Sequence, residues 1–175
     1  VYLSKLPRIE KKVRVVLDPN KLDPTGSTSF DWFEPSPDGE RIAVSLSKGG
    51  SEDGSLHVFD VATGRQPGEA IPRVQYPTAG GDAAWAPDGK GFWYTRYPDP
   101  DRPADEQHFH QKVWFHRLGE DPKTDAQVFG DGLPKVAEIR LDYSDEAGAL
   151  LVTVQKGSAW RRRDRAPAPE RFGSR

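Results

Sequence analysis

The 175 residues carry 25 Lys and Arg against 27 Asp and Glu, a formal net charge of -2, so no basic surface is on offer to a phosphate backbone and no nucleic-acid partner is expected. Hydrophobic residues make up 35% of the chain and five are Trp, enough for a packed core, yet no apolar run approaches the roughly 18 to 20 residues that span a bilayer, and no membrane partner is expected either. Disulfides are excluded by the lack of Cys, and the 17 Gly and 16 Pro are spread in the manner of many short strands joined by turns.

In chain order, Val13-Arg14-Val15-Val16-Leu17 reads as the outer strand of a blade whose inner strands lie upstream, and residues 1–29 as that incomplete first blade plus a linker. The chain opens on Val1 and has no Met, so an upstream segment is expected. Three repeats follow, each a turn feeding a strand. They are Pro35-Ser36-Pro37-Asp38-Gly39 before Arg41-Ile42-Ala43-Val44, Ala86-Pro87-Asp88-Gly89 before Gly91-Phe92-Trp93-Tyr94, and Tyr143-Ser144-Asp145 before Ala149-Leu150-Leu151-Val152. Asp-Gly suits a reversal because Gly tolerates positive φ and the Asp side chain accepts a bond from its own turn.

After the first turn, Ile42, Val44 and Leu46 alternate with Ala43, Ser45 and Ser47, the period of a strand with one face on a core. Residues 55–61 then run to the turn Ala62-Thr63-Gly64-Arg65, and the pair reads as a hairpin. The second repeat offers Ala84-Trp85, a strand at 92–97, a proline-rich loop at 98–107 barred from a sheet interior, and strands at 111–118 and 126–129. About two strands remain after the third turn. A period on the order of 50 residues suits one four-stranded antiparallel blade per repeat. The expected fold is therefore all-β, a partial β-propeller of about two and a half blades. Residues 30–75 and 76–133 are one blade each, and 134–157 start a further blade. Residues 158–175, with Trp160-Arg161-Arg162-Arg163-Asp164-Arg165, lose the alternation and read as a disordered or non-native tail.

Side chains that suggest chemistry are met by plainer readings. A serine nucleophile needs an elbow such as G-x-S-x-G with a base and an orienting acid. Gly49-Gly50-Ser51-Glu52-Asp53 fails at its last position, and Ser36 and Ser144 sit where a hydroxyl caps a turn, so no catalytic residue is expected. His108, His110 and His116 invite a metal, the first two from one face of a strand, but exposed strand-edge histidines are the favoured reading. Neither a metal nor a cofactor is expected. Glu52-Asp53, Asp99, Asp101 and Glu120-Asp121 read as solvated loop charges. Gly49-Gly50 and Gly80-Gly81 lack the setting of a phosphate cradle. Trp85, Trp93, Trp114, Phe92 and Tyr94 read as core, about half of them facing inward between blades.

Val16-Leu17-Asp18-Pro19-Asn20, Ser45-Leu46-Ser47-Lys48-Gly49-Gly50-Ser51, Asp60-Val61-Ala62-Thr63-Gly64, Arg73-Val74-Gln75-Tyr76, the run from Trp85 to Pro98, and the run from His110 to Gly119 follow one another in this order. Together these segments resemble the prolyl oligopeptidase family of serine peptidases. Their order carries the resemblance; Gly80-Gly81-Asp82 looks like an insertion, and the pattern is lost after Gly157. The resemblance implies part of a seven-bladed propeller stacked on an α/β-hydrolase domain that holds the Ser, Asp and His of the triad and is missing from these residues. It implies short proline-containing peptides as partners of the parent enzyme, filtered by the propeller, and Tyr76 as a substrate-binding side chain facing the cavity. A packed or interface tyrosine stays open as the other reading of Tyr76. A binding or scaffold propeller without peptidase activity, and a misframed product, stay open for the whole chain. The absence of Cys and the habit of the family suggest the cytoplasm, with the periplasm as the alternative.

Overall fold

A computed structural model describes residues 2–3, 14–156 and 159–162. Two short strands, β1 (Tyr2–Leu3) and β2 (Arg14–Val15), pair with each other, and a one-turn helix α1 (Pro19–Leu22) follows, its first turn capped by the Asp18 carboxylate accepting from the Asn20 N–H at 3.1 Å. Three antiparallel sheets succeed one another. The first contains β3 (Thr28–Pro35), β4 (Arg41–Lys48), β5 (Gly54–Asp60) and β6 (Ile71–Gln75), in that order across the sheet. The second contains β7 (Ala83–Trp85), β8 (Gly91–Arg96), β9 (Lys112–Arg117) and β10 (Ala126–Phe129), and the third β11 (Glu138–Ser144), β12 (Ala149–Lys156) and β13 (Ala159–Arg162). Each sheet is a meander and the first strands β3, β7 and β11 adjoin across sheets, which makes them the inner strands of successive propeller blades.

The Asp turns do what their chemistry allows. Asp38 Oδ1 accepts from the Ser36 hydroxyl at 2.6 Å and from the Glu40 N–H at 2.9 Å, and Asp88 Oδ1 accepts from the Lys90 N–H at 3.0 Å. In each turn the next residue, Gly39 or Gly89, takes a positive φ. The strands that follow are buried on both faces. In β4, Ala43 faces the second sheet, while Ile42, Val44 and Leu46 face the opposite way with Phe59. In β8, Phe92 and Tyr94 join Trp85, Leu56, Ile71 and Val74 between the first two blades. Trp93 faces the other way, stacks on Tyr143 at 5.6 Å, and packs with Val113, Ile139, Leu150 and Val152 between the second and third. The apolar period of two therefore marks which neighbour a residue serves rather than core against solvent.

Two expectations change. Residues 14–17 do not form one strand, and Val13 lies outside the described residues: β2 is two residues long and pairs with Tyr2–Leu3, while Val16 and Leu17 are buried against the far face of the first blade. Consecutive apolar residues serve there as a cover, a role that strand alternation does not require. The tail is not wholly without regular structure, because Ala159–Arg162 pairs antiparallel with β12, Thr153 opposite Arg162 and Lys156 opposite Ala159. Backbone pairing needs no apolar alternation, so a basic run can complete a sheet edge. The rest of that expectation, residues 158 and 163–175, falls outside the described residues.

Asp82, just ahead of β7, joins two blades. Its Oδ1 accepts from the Ala83 N–H at 3.0 Å and its Oδ2 from the Leu141 N–H of β11 at 2.8 Å. Burial holds the Asp82 carboxyl above its usual range, against the pull of those hydrogen bonds, and burial together with the Asp82 and Asp142 charges does the same to Glu34. A carboxyl whose folded pKa exceeds its unfolded value contributes stability that is complete below the unfolded value and is lost as pH rises through the folded one. Asp82→Asn removes that titration and leaves one of the two backbone bonds unmade at every pH. The deficit of the variant relative to the parent is expected to be largest below the ordinary carboxylate range and to shrink as pH rises through and above it. Urea melts of both proteins across that range check this, and a deficit that does not vary with pH would contradict it.

Candidate functional site

The β4–β5, β6–β7 and β8–β9 connections share one end of the blades, since Gly54 at the start of β5 lies opposite Gln75 at the end of β6. Among the described residues the non-glycine positions with positive φ all lie at that end: Glu52 (53°), Arg73 (64°) and His110 (62°). Such conformations cost of order 1–3 kcal/mol each and persist only where the surroundings over-determine them. For Arg73 the cause is plain. Its guanidinium donates to the carbonyls of Pro98 and Gln107 and, at 3.0 Å, to the Tyr76 hydroxyl, while its own carbonyl accepts from the Tyr97 N–H at 2.9 Å. One side chain from the outer strand of the first blade thus fastens both ends of the 98–107 loop of the second.

Tyr76 leaves β6 into a tight reversal in which the Gly80 N–H bonds the Tyr76 carbonyl at 2.9 Å, Gly80 having φ +67°. Its ring meets Tyr97 edge-on at 5.0 Å and lies against the His108 imidazole at 4.3 Å and 22°. Burial, with the Asp53 carboxylate nearby, raises the phenol pKa above its usual value, opposed by Arg73, so Tyr76 is a neutral phenol at working pH. Tyr76, the expected substrate-binding side chain, is 4% exposed, with Tyr97 and His108 against its ring, which is the packed arrangement of the other reading. The far end of the loop is held by Glu106, whose carboxylate meets His110 Nε2 at 2.7 Å and Lys135 Nζ at 2.6 Å. Those two partners, Lys135 first, hold the Glu106 carboxyl below the usual range.

The three histidines do not converge. His108 and His110 lie in the segment before β9 rather than on one strand face, and His116 is buried with Nδ1 2.9 Å from Asp125 Oδ1, the other carboxylate oxygen accepting from the Tyr94 hydroxyl at 2.7 Å. Among the described residues no group of three or more His, Asp or Glu is arranged to hold a metal ion. His116 borders a groove of about 560 Å³ between the first two blades, floored by Leu56, Val58, Ile71 and Leu118, and no serine lines it. Ser36 is a turn cap, donating to Asp38 and accepting from the Arg41 N–H at 2.9 Å, and Ser144 accepts from the Ala147 N–H at 3.2 Å. Ser51 accepts from the Asp53 N–H at 3.2 Å in the β4–β5 turn. Gly80-Gly81-Asp82 lies in the β6–β7 connection between the first two blades. Arg73 and His108, the residues that organise this end of the blades, have no signature in the sequence; only the place of Arg73 beside Val74-Gln75-Tyr76 pointed near them.

A family model described as the prolyl oligopeptidase N-terminal beta-propeller domain matches residues 2–165. Prolyl oligopeptidase A of Galerina marginata (strain CBS 339.88) is 29% identical over 161 residues, covering 81% of this chain and 21% of that protein. A prolyl endopeptidase of Elizabethkingia miricola is 32% identical over 133 residues, covering 71% of this chain and 17% of the relative. The chain thus spans about a fifth of the length of these relatives. A structure solved in work on inter-domain dynamics in two prolyl endopeptidases superposes with a TM-score of 0.76 at 26% identity, over 91% of this chain and 24% of that one. Apo prolyl oligopeptidase B of Galerina marginata, at 22% identity, shares the fold with a TM-score of 0.69 over 84% of this chain and 21% of that one. Blades that succeed one another as in a propeller, Asp turns in register and a match running nearly the length of the chain agree: these residues belong to the prolyl oligopeptidase family, as a stretch of its N-terminal β-propeller domain.

Proposed function

We propose that this chain serves as part of the substrate-filtering propeller of a serine endopeptidase that hydrolyses short peptides after proline. In that reading the nucleophile, base and orienting acid belong to an α/β-hydrolase domain outside these residues. The propeller's contribution is exclusion and contact, admitting short flexible peptides to a site closed to water and to folded proteins. The family match over residues 2–165 carries the reading. The fastened loop end, with Arg73, Tyr76 and His108, is the part of the blades suited to meet a peptide, and Tyr76 enters as support behind that surface.

The test compares two proteins on a blocked Gly-Pro p-nitroanilide and its Gly-Ala counterpart. The full reading frame that carries these residues is expected to release nitroaniline from the proline substrate and to take up a fluorophosphonate label at a serine outside residues 1–175. The 175-residue chain by itself is expected to be inert to both reagents. Cleavage or labelling by the chain alone, or a full reading frame without prolyl cleavage, would overturn the reading.

A further inference from the structure

We infer that His108 is the side chain this propeller presents to a peptide, as a flat platform for a ring-bearing residue, and that Arg73 and Tyr76 hold it in place. The inference deepens the peptidase reading and rests on it for the identity of the ligand. Tyr76 is closed off, but the ring lying on it is not: His108 is exposed, with one face against Tyr76 at 4.3 Å. No hydrogen bond or ion pair engages its imidazole nitrogens among the described residues, in contrast to His57, which meets Gln66, to His110, which meets Glu106, and to His116, which meets Asp125.

The platform is rigid for reasons visible on both sides of it. Before it, the Gln107 carbonyl accepts from Arg73, and the Gln107 amide donates to the carbonyls of Pro100 and Arg102 at 3.1 Å each. After it, His110 is fixed by Glu106 and by its N–H on the Lys135 carbonyl at 2.9 Å. Behind it, Tyr76 is set by Tyr97 edge-on and by the Arg73 guanidinium, whose centre is 5.2 Å from the Tyr76 ring. A ring ordered in advance loses little entropy on binding, so an open face offset-stacks a second ring or the flat side of a pyrrolidine without reorganisation. Backbone strain at Arg73 and His110, the fasteners on either side, is what a surface maintained for contact would show. The ligand class is a short peptide with a proline or aromatic side chain, lying flat on the imidazole and presenting a main-chain carbonyl to the ring N–H.

The test uses the 175-residue chain labelled at histidine and two probes, acetyl-Phe-Ala-Pro-amide and acetyl-Ala-Ala-Ala-amide. The first is expected to shift the His108 ring signals upfield in a saturable way while those of His57 and His116 stay in place, and the second to leave all of them unmoved. His108→Ala is expected to weaken the first peptide about two- to tenfold, and His108→Phe, which keeps a stacking face, to restore most of the loss. Equal binding of both peptides, or an unchanged affinity in His108→Ala, would overturn the platform. Prolyl cleavage by the full reading frame with no response at His108 sinks the platform alone, whereas a His108 response without prolyl cleavage sinks the peptidase reading and leaves the platform standing.

Discussion

Replacing Phe92 with alanine is expected to cost about 3–5 kcal/mol, the range for removing a fully buried phenyl ring, and to lower the urea midpoint of the chain accordingly. Phe92 is 0% exposed and sits where two blades meet, its ring centroid 5.1 Å from that of Trp85, 5.8 Å from that of Tyr94 and 5.3 Å from that of His116. The size of the loss follows from how little those neighbours can close up. The Trp85 indole N–H is committed to the Glu34 carbonyl at 3.0 Å, Tyr94 to Asp125, and His116 to Asp125, so each ring is pinned from behind and the cavity stays. Domains of this size hold on the order of 5–15 kcal/mol in all, and a lost interface between blades is a large share of that. Leu151→Ala, at a side chain 38% exposed on the outer face of β12, is the control and is expected to change stability by less than about 1 kcal/mol. Urea unfolding followed by circular dichroism compares the two, and a Phe92→Ala midpoint no lower than that of Leu151→Ala would refute the pinned-ring account.

Gly81→Ala is expected to be nearly as severe, at about 3 kcal/mol, near the upper end for forcing a methyl group into a filled site. A Cβ at position 81 would meet the carbonyl oxygen and carbon of Val74, which are backbone atoms, as well as the Gln75 side chain. No rotamer change relieves a clash with a main chain. The connection itself would have to move, and it carries the Gly80 carbonyl, which accepts from the Tyr97 hydroxyl at 2.9 Å and the Gln111 amide at 2.8 Å, and the Asp82 carboxylate that reaches the third blade. Loss of packing between blades is therefore expected along with the local strain. Gly68, where a Cβ would meet nothing within 4 Å, supplies the comparison, and Gly68→Ala is expected within about 0.5 kcal/mol of the parent. If the two alanine variants melted together, the close approach at Gly81 would not be what sets that position.

Much of the fold was legible because its signals are local. Asp38-Gly39 and Asp88-Gly89 announce reversals through their own side chains, and the strands after them carry their pattern within eight residues. The inner strand β3 was hidden by a bulge: its register shifts between Phe30 and Trp32, and the extra residue, Asp31, turns its carboxylate to the hydroxyls of Ser45 and Ser47 at 2.7 Å each, which breaks the alternation. Strand β6 was hidden by Pro72, which an edge strand tolerates, and β13 by its basic composition. At the loop end, Tyr76 was found through resemblance, but its packing stood only as one of two readings, because what buries it arrives from Tyr97 and His108. Arg73 was invisible as a fastener, since its contacts reach 25 and 34 residues along the chain and positive φ at an arginine leaves no mark in composition.

The Arg73 fastener also bears on how this protein can vary. With Pro98 and Gln107 held by one guanidinium, the residues between them form a closed ring whose mouth is set by the first blade, not by their own length or sequence. Doubling such a ring adds only about 0.6 kcal/mol of closure entropy. The stretch from Asp99 to Asp105, short of the Glu106 anchor, is accordingly an exchangeable cassette, open to insertion or grafting of foreign peptide while the sheets beneath keep their register.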